Sequence, residues 1–134
     1  MTATQTQTFI NLPVKDLTKA TAFFTQVGFT FDPMLTDQNV TRMILGDGSS
    51  ALLHVEPWFA GFIGPREIAD TATTREVIVG VSAASREEVD DRIDKAVAAG
   101  GQSLGDAQDD GFMYMRGFLD LDGHQWSFLH FSGS

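Results

Sequence analysis

Apolar positions along this chain change period several times, and each change marks a new element. An extended apolar run from Thr8 to Val14 contains Pro13, which cannot donate to a sheet ladder and marks a strand end or edge. Asp16 is a helix N-cap, and Leu17, Ala20, Phe24 and Val27 recur at three- and four-residue intervals until Gly28 stops the helix. Short strands follow over residues 29–35, 41–45 and 51–55, separated by the turn chemistry of Asp32-Pro33, Thr36-Asp37 and Gly46-Asp47-Gly48-Ser49. Residues 57–74 sustain no period and carry aromatics, Gly61, Gly64 and Pro65, so they read as a connecting loop with room for a short helix.

The second half repeats this plan. Residues 76–82 form a strand pattern, and Ser85-Arg86-Glu87-Glu88 is a capping box that opens a helix with Val89, Ile93, Ala96 and Val97 as its expected buried stripe. Gly100-Gly101 ends that helix, and strands are expected over 102–104, 112–119 and 124–131. Between the last two, Asp122-Gly123 is a strong hairpin signal and predicts a type I′ turn with positive φ at both central residues. Superposing the two caps, Asp16 on Ser85, lays Phe9-Ile10-Asn11-Leu12-Pro13-Val14 on Ile78-Val79-Gly80-Val81-Ser82-Ala83, so the chain is two copies of one supersecondary unit. The expected organisation is a single domain over 1–134, with βαβββ modules at 8–56 and 75–131 joined by the loop at 57–74.

Composition narrows the possible chemistry. A chain of 134 residues buries roughly two-thirds of its unfolded surface, and eleven Phe with two Trp supply the core. No apolar run approaches the ~20 residues needed to cross a bilayer. Met1 to Thr8 lacks the basic start and apolar stretch of a secretory leader, so a cytoplasmic location is expected. Zero cysteines exclude disulfides, thiolate metal sites and cysteine nucleophiles. Eighteen acidic against nine basic residues give a net charge of −9, which disfavours nucleic acid and anionic membranes as partners.

The front motif Asn11-Leu12-Pro13-Val14-Lys15-Asp16-Leu17, with Phe23-Phe24 and Gly28-Phe29, and the back motif from Gly111-Phe112-Met113-Tyr114 through Asp120-Leu121-Asp122-Gly123-His124-Gln125-Trp126 resemble the vicinal-oxygen-chelate superfamily. That superfamily contains the glyoxalases, bleomycin-resistance proteins and extradiol dioxygenases. The resemblance covers nearly the whole chain and implies an α+β fold in which two βαβββ modules form a cup-shaped mixed sheet. It further implies a divalent metal in the cup acting as a Lewis acid, with one ligand from the first and one from the last strand of each module. Carried onto this chain, those positions are Asn11, His54, Gly80 and Ser127, with Glu56 as the alternative to His54. Most metal-dependent members have a glutamate where Ser127 stands.

Donor chemistry weighs against a metal at those positions. Gly80 offers no ligand, Ser127 a neutral hydroxyl and Asn11 one amide oxygen, which leaves His54 as the single good donor. No cofactor is therefore expected. A divalent metal remains an alternative if His54 and Glu56, two apart on one strand, share an ion with a third group such as Glu76 or Tyr114. His54 is also well explained as a hydrogen-bonded core histidine. His124 is expected to pack at the hairpin end, and His130 to face the helix layer beside Trp126 and Phe128. Tyr114 and Arg116 share one strand face; Arg116 either clamps a carboxylate or phosphate, or pairs with a nearby acid. Trp58, Phe59 and Phe62 form an aromatic cluster that either covers the cup or pads a dimer contact.

The leading expectation is a homodimer that binds a small-molecule ligand or substrate, with a cup lined by Asn11, His54, Glu56, Tyr114, Arg116, Gln125 and Ser127. Two alternatives stand beside it: a glyoxalase- or dioxygenase-type enzyme with a displaced metal site at His54 and Glu56, and a protein that sequesters a cationic drug.

Overall fold

The computed structural model describes residues 6–132; residues 1–5, where the absence of a leader was read, and the last two residues lie outside it. The first half runs β1 (Thr8–Val14), α1 (Leu17–Val27), β2 (Thr30–Thr36), β3 (Val40–Gly46) and β4 (Ser49–Val55), followed by the short helix α2 (Glu56–Ala60). The second half runs β5 (Ile78–Ser82), α3 (Arg86–Ala98), β6 (Gln102–Ser103), β7 (Gln108–Asp109), β8 (Met113–Leu119) and β9 (Gln125–Phe131). The class is α+β. Both halves use one topology: the first sheet has the order β1-β4-β3-β2 with β1 parallel to β4, and the second has the order β5-β9-β8-β6 with β5 parallel to β9 and β7 paired to β8. Two compact units result, one of residues up to Ala22 with Phe29–Ile68, the other of Phe23–Gly28 with the residues from Ala69 on.

The two longer helices, α1 and α3, begin where a side chain satisfies orphan backbone donors. The Lys19 N–H donates to Asp16 Oδ1 at 3.0 Å, and the Glu88 N–H donates to Ser85 Oγ at 3.0 Å. The reciprocal arm of the capping box reaches one residue further back than expected, where Glu88 Oε1 accepts from the Ala84 N–H at 2.7 Å.

In the first unit, Leu12, Val14, Ala20, Met43, Ala51 and Leu53 form the buried layer. The second unit is built on rings. Phe118 stacks near-parallel on Trp126 and Phe128 at centroid separations of 6.4 and 5.9 Å, while Phe23 and Phe24 from the end of α1 reach Phe118 and Trp126 at 6.1 and 5.1 Å. Val89, Ile93 and Ala96 of α3 are fully buried, but Val97 is not. The helix instead covers the core edge with Arg92, whose guanidinium lies 4.5 Å from the Phe128 ring centroid.

Two turn-region expectations are corrected. Among the described residues no residue other than glycine has positive φ, so the β8–β9 connection is not a type I′ turn; Gly123 alone, at φ 83°, takes the left-handed conformation. A buried carboxylate closes the loop: Asp120 Oδ1 accepts from the N–H groups of Asp122 and His124 at 2.8 and 3.0 Å, and Oδ2 accepts from Trp126 Nε1–H at 2.9 Å. Burial pushes the Asp120 carboxyl above its ordinary range, against the pull of His124 and these hydrogen bonds. The second correction is β7, a two-residue strand absent from the sequence pattern and tied to α3 by the Arg86–Asp109 pair, with bonds of 2.6 and 3.0 Å.

Replacing Ser85 with Ala is expected to cost about 1 kcal/mol in urea unfolding, through loss of the cap bond. Replacing Ser82 with Ala is expected to cost less, and equal losses would place the start of α3 elsewhere.

Candidate functional site

Strand alternation divides the first sheet into two faces. The register pairs Leu12 with Leu53 and Met43 with Ala51, and these four side chains form the buried face. The intervening positions, Phe9, Asn11, Val40, Arg42, Ser50, Leu52 and His54, share the opposite face.

At its centre His54 Nε2 meets Asn11 Oδ1 at 2.7 Å. The Asn11 amide nitrogen lies 3.5 Å from the Phe9 carbonyl, an orientation that turns Oδ1 toward the ring; the histidine therefore donates through Nε2–H and keeps a lone pair on Nδ1. That Nδ1 is buried with no hydrogen-bond partner among the described residues. Burial also lowers the pKa of His54, so the neutral ring is the favoured form.

Arg42 is the residue of this face that sequence reasoning missed. Its Nε donates to Ser50 Oγ at 2.8 Å, Nη1 to Asp32 Oδ2 at 3.1 Å and Nη2 to Gln7 Oε1 at 3.1 Å, and its guanidinium carbon sits 5.5 Å from the Phe9 ring centroid. Period two along Val40-Thr41-Arg42-Met43 was legible, but its alignment with His54 comes from the β3–β4 register.

Glu56 does not share a strand face with His54. β4 ends at Val55, and Pro57 in the first turn of α2 makes Glu56 the opening residue of a helix. The pairing of His54 with Glu56 on one strand is therefore corrected.

In the second sheet, Gln125, Ser127 and Gly80 share one face. Gly80 and Ser127 are register partners, and a Cβ built on Gly80 would lie 3.3 Å from Ser127 Oγ. Ser127 is buried, and Gln125 Oε1 accepts from Arg75 Nε at 3.1 Å. Tyr114 and Arg116 occupy the other face, opposite His130 and Phe128 in register, and so do not line one surface with Ser127 and Gln125. Asp90 of α3 draws them there: its Oδ1 accepts from Tyr114 OH at 2.8 Å and from Arg116 Nη1 at 3.1 Å. Of the two roles expected for Arg116, the ion pair is the one present. The hydrogen bond to Asp90 raises the Tyr114 pKa above its ordinary value. These three residues, with Asp94, Asp106 and Ala107, border an open pocket of about 410 Å³. His130 faces the helix layer and meets the Ala83 carbonyl through Nδ1 at 3.1 Å.

A divalent metal does not fit this donor set. The first unit offers one imidazole beside an amide, and the register-paired positions of the second offer a glycine and a hydroxyl, so neither unit supplies the three protein ligands of a catalytic metal site. Among the described residues no group of three or more histidines and carboxylates is placed to hold an ion.

Residues 6–46 match the family model described as bleomycin resistance protein-like N-terminal. No curated protein matches the chain. Among solved structures, the chain is similar to a hypothetical protein, SA1046 from S. aureus, at 27% identity over 96% of this chain and 95% of that one, TM-score 0.78. It is similar in fold to a glyoxalase/bleomycin resistance protein/dioxygenase family enzyme from Burkholderia phytofirmans PsJN, at 16% identity over 92% and 97% of the two chains, TM-score 0.75. A glyoxalase-related enzyme from Fulvimarina pelagi is 23% identical over 95% of this chain and 88% of that one, TM-score 0.73. The fold is that of the glyoxalase/bleomycin-resistance/dioxygenase proteins, and fold and family model together support the vicinal-oxygen-chelate superfamily as the chain's place.

The lowered pKa of His54 makes a signed prediction. The unfolded chain takes up the proton more readily than the folded one, so this contribution to stability is complete above the ordinary histidine range and is lost as pH falls through it. Urea unfolding at pH of about 7.5 and about 5.5 is expected to show a smaller acid loss in His54→Gln than in wild type. Equal losses would contradict a neutral, buried His54.

Proposed function

We propose that this protein binds a small organic molecule directly through its side chains, at the face of the first sheet centred on His54 and Asn11, with no metal at the ancestral ligand positions. The observation that carries this reading is the donor set: His54 has an amide beside it at 2.7 Å, and the register partners Gly80 and Ser127 add only a glycine and a hydroxyl. Arg42, Ser50 and Phe9 extend the same face with charge, hydroxyl and ring. The test is the metal content of protein purified without chelators. Clearly substoichiometric metal is expected, since one imidazole and one amide do not offset the cost of stripping water from a divalent ion. Stoichiometric metal that disappears in His54→Ala would overturn this reading and restore a metal-dependent lyase or dioxygenase.

A second reading, sequestration of a cationic drug, draws on the net charge of −9 and on the pocket bordered by Asp90, Asp94 and Asp106. Calorimetric titration with a cationic glycopeptide, compared with neutral aromatic compounds, separates the two.

We also infer a homodimer. Ile78, Phe112 and Phe131 of the second unit are each more than half exposed, and β5 is an edge strand of its sheet. Light scattering is expected to return the mass of two chains, and the mass of one chain at micromolar concentration would count against it.

A further inference from the structure

His54, whose Nδ1 has no hydrogen-bond partner among the described residues, packs beside aromatic rings, one of which is largely exposed. His54 is 4% exposed, yet the Phe62 ring centroid 5.4 Å from its own is 67% exposed, and Trp58, edge-on to Phe62 at 6.1 Å, is 46% exposed. Phe59 supplies a third ring at 6.1 Å from His54. The segment bearing Phe62 is locally permissive: Gly61 precedes it, and Gly64 follows at φ 65° with nothing near its Cβ position. A buried acceptor without a donor is an unfavourable arrangement in itself, and the imidazole that carries it packs against an exposed ring.

We propose that Phe62 occupies the place of a ligand ring, and that the site takes a planar aromatic molecule carrying one O–H or N–H donor. The ligand ring packs against Trp58 as Phe62 swings out, and its donor hydrogen-bonds Nδ1 of His54. This rests on the small-molecule reading of the first-sheet face and names the ligand class for it. The hydrogen bond from Nε2–H to Asn11 holds the ring in the tautomer that leaves Nδ1 an acceptor.

The probe is 2-naphthol, with 2-methoxynaphthalene as the analogue without the donor and 2-decalol as the analogue without the aromatic ring. In protein carrying ¹⁵N-labelled histidine, 2-naphthol is expected to move the Nδ1 resonance of His54 to lower frequency, leaving His124 and His130 in place. It is also expected to quench a tryptophan emission component that is missing in Trp58→Phe. Both analogues are expected to bind about tenfold more weakly or worse. Phe62→Ala removes an exposed side chain, so the fold is retained, and 2-naphthol is expected to bind this variant several-fold more tightly because the cover no longer competes. Equal affinity for naphthol and its methyl ether, an unmoved Nδ1 resonance, weaker binding in Phe62→Ala, or no binding of 2-naphthol would each overturn the proposal. Shifts at Asn11, Arg42 and Leu52 without movement of Nδ1 would overturn it while leaving the first-sheet face as a small-molecule site. Stoichiometric metal bound through His54 would remove both.

Discussion

Two-residue alternation along the strands is the constraint on which the rest of this structure depends. Once Leu12, Met43, Ala51 and Leu53 are turned inward, Asn11, Arg42 and His54 have to share the other face, because a slip of one residue would exchange the two sets entirely. The same rule in the second sheet sends Phe118, Trp126 and Phe128 to the ring-packed core and carries Tyr114 and Arg116 to that side with them. Asp90 then completes an ion pair and a hydrogen bond that stabilise the α3 face without reference to any ligand.

Much of the fold was legible because the residues that specify it act locally. Asp16 and Ser85 cap their helices through donors three residues away, and both parallel pairings follow once the repeat is recognised. What escaped depends on contacts distant in sequence or on very short segments. β7 is two residues long and leaves no period to detect; its Asp109 is held by Arg86, 23 residues earlier. The hairpin turn carried an Asp-Gly signal, yet Asp120, which folds back to take three N–H groups, determines its geometry. Glu56 fell on the wrong side of an element boundary, since Pro57 is as compatible with a strand end as with the first turn of a helix.

The site was partly legible for the same reason. Placing Asn11 and His54 together needed the parallel register of β1 and β4, which the resemblance supplied and the structure realises as a direct hydrogen bond. Arg42 was overlooked because nothing in its own strand says which face carries function. Tyr114 and Arg116 were correctly paired with each other, but their partner lies on a helix more than twenty residues earlier. The result is a face on which an amide, an imidazole and a guanidinium each have protein partners, and one buried acceptor has none.

The central claim is that His54 is neutral, donates from Nε2 to Asn11 and keeps an open lone pair on Nδ1. A long-range ¹H–¹⁵N correlation spectrum of the unliganded protein at neutral pH tests it most directly. The account predicts a protonated, pyrrole-type Nε2 and a bare, pyridine-type Nδ1 for His54, both unchanged by Asp90→Asn and both disturbed by Asn11→Ala. A proton on Nδ1, or an imidazolium with protons on both nitrogens, would contradict it.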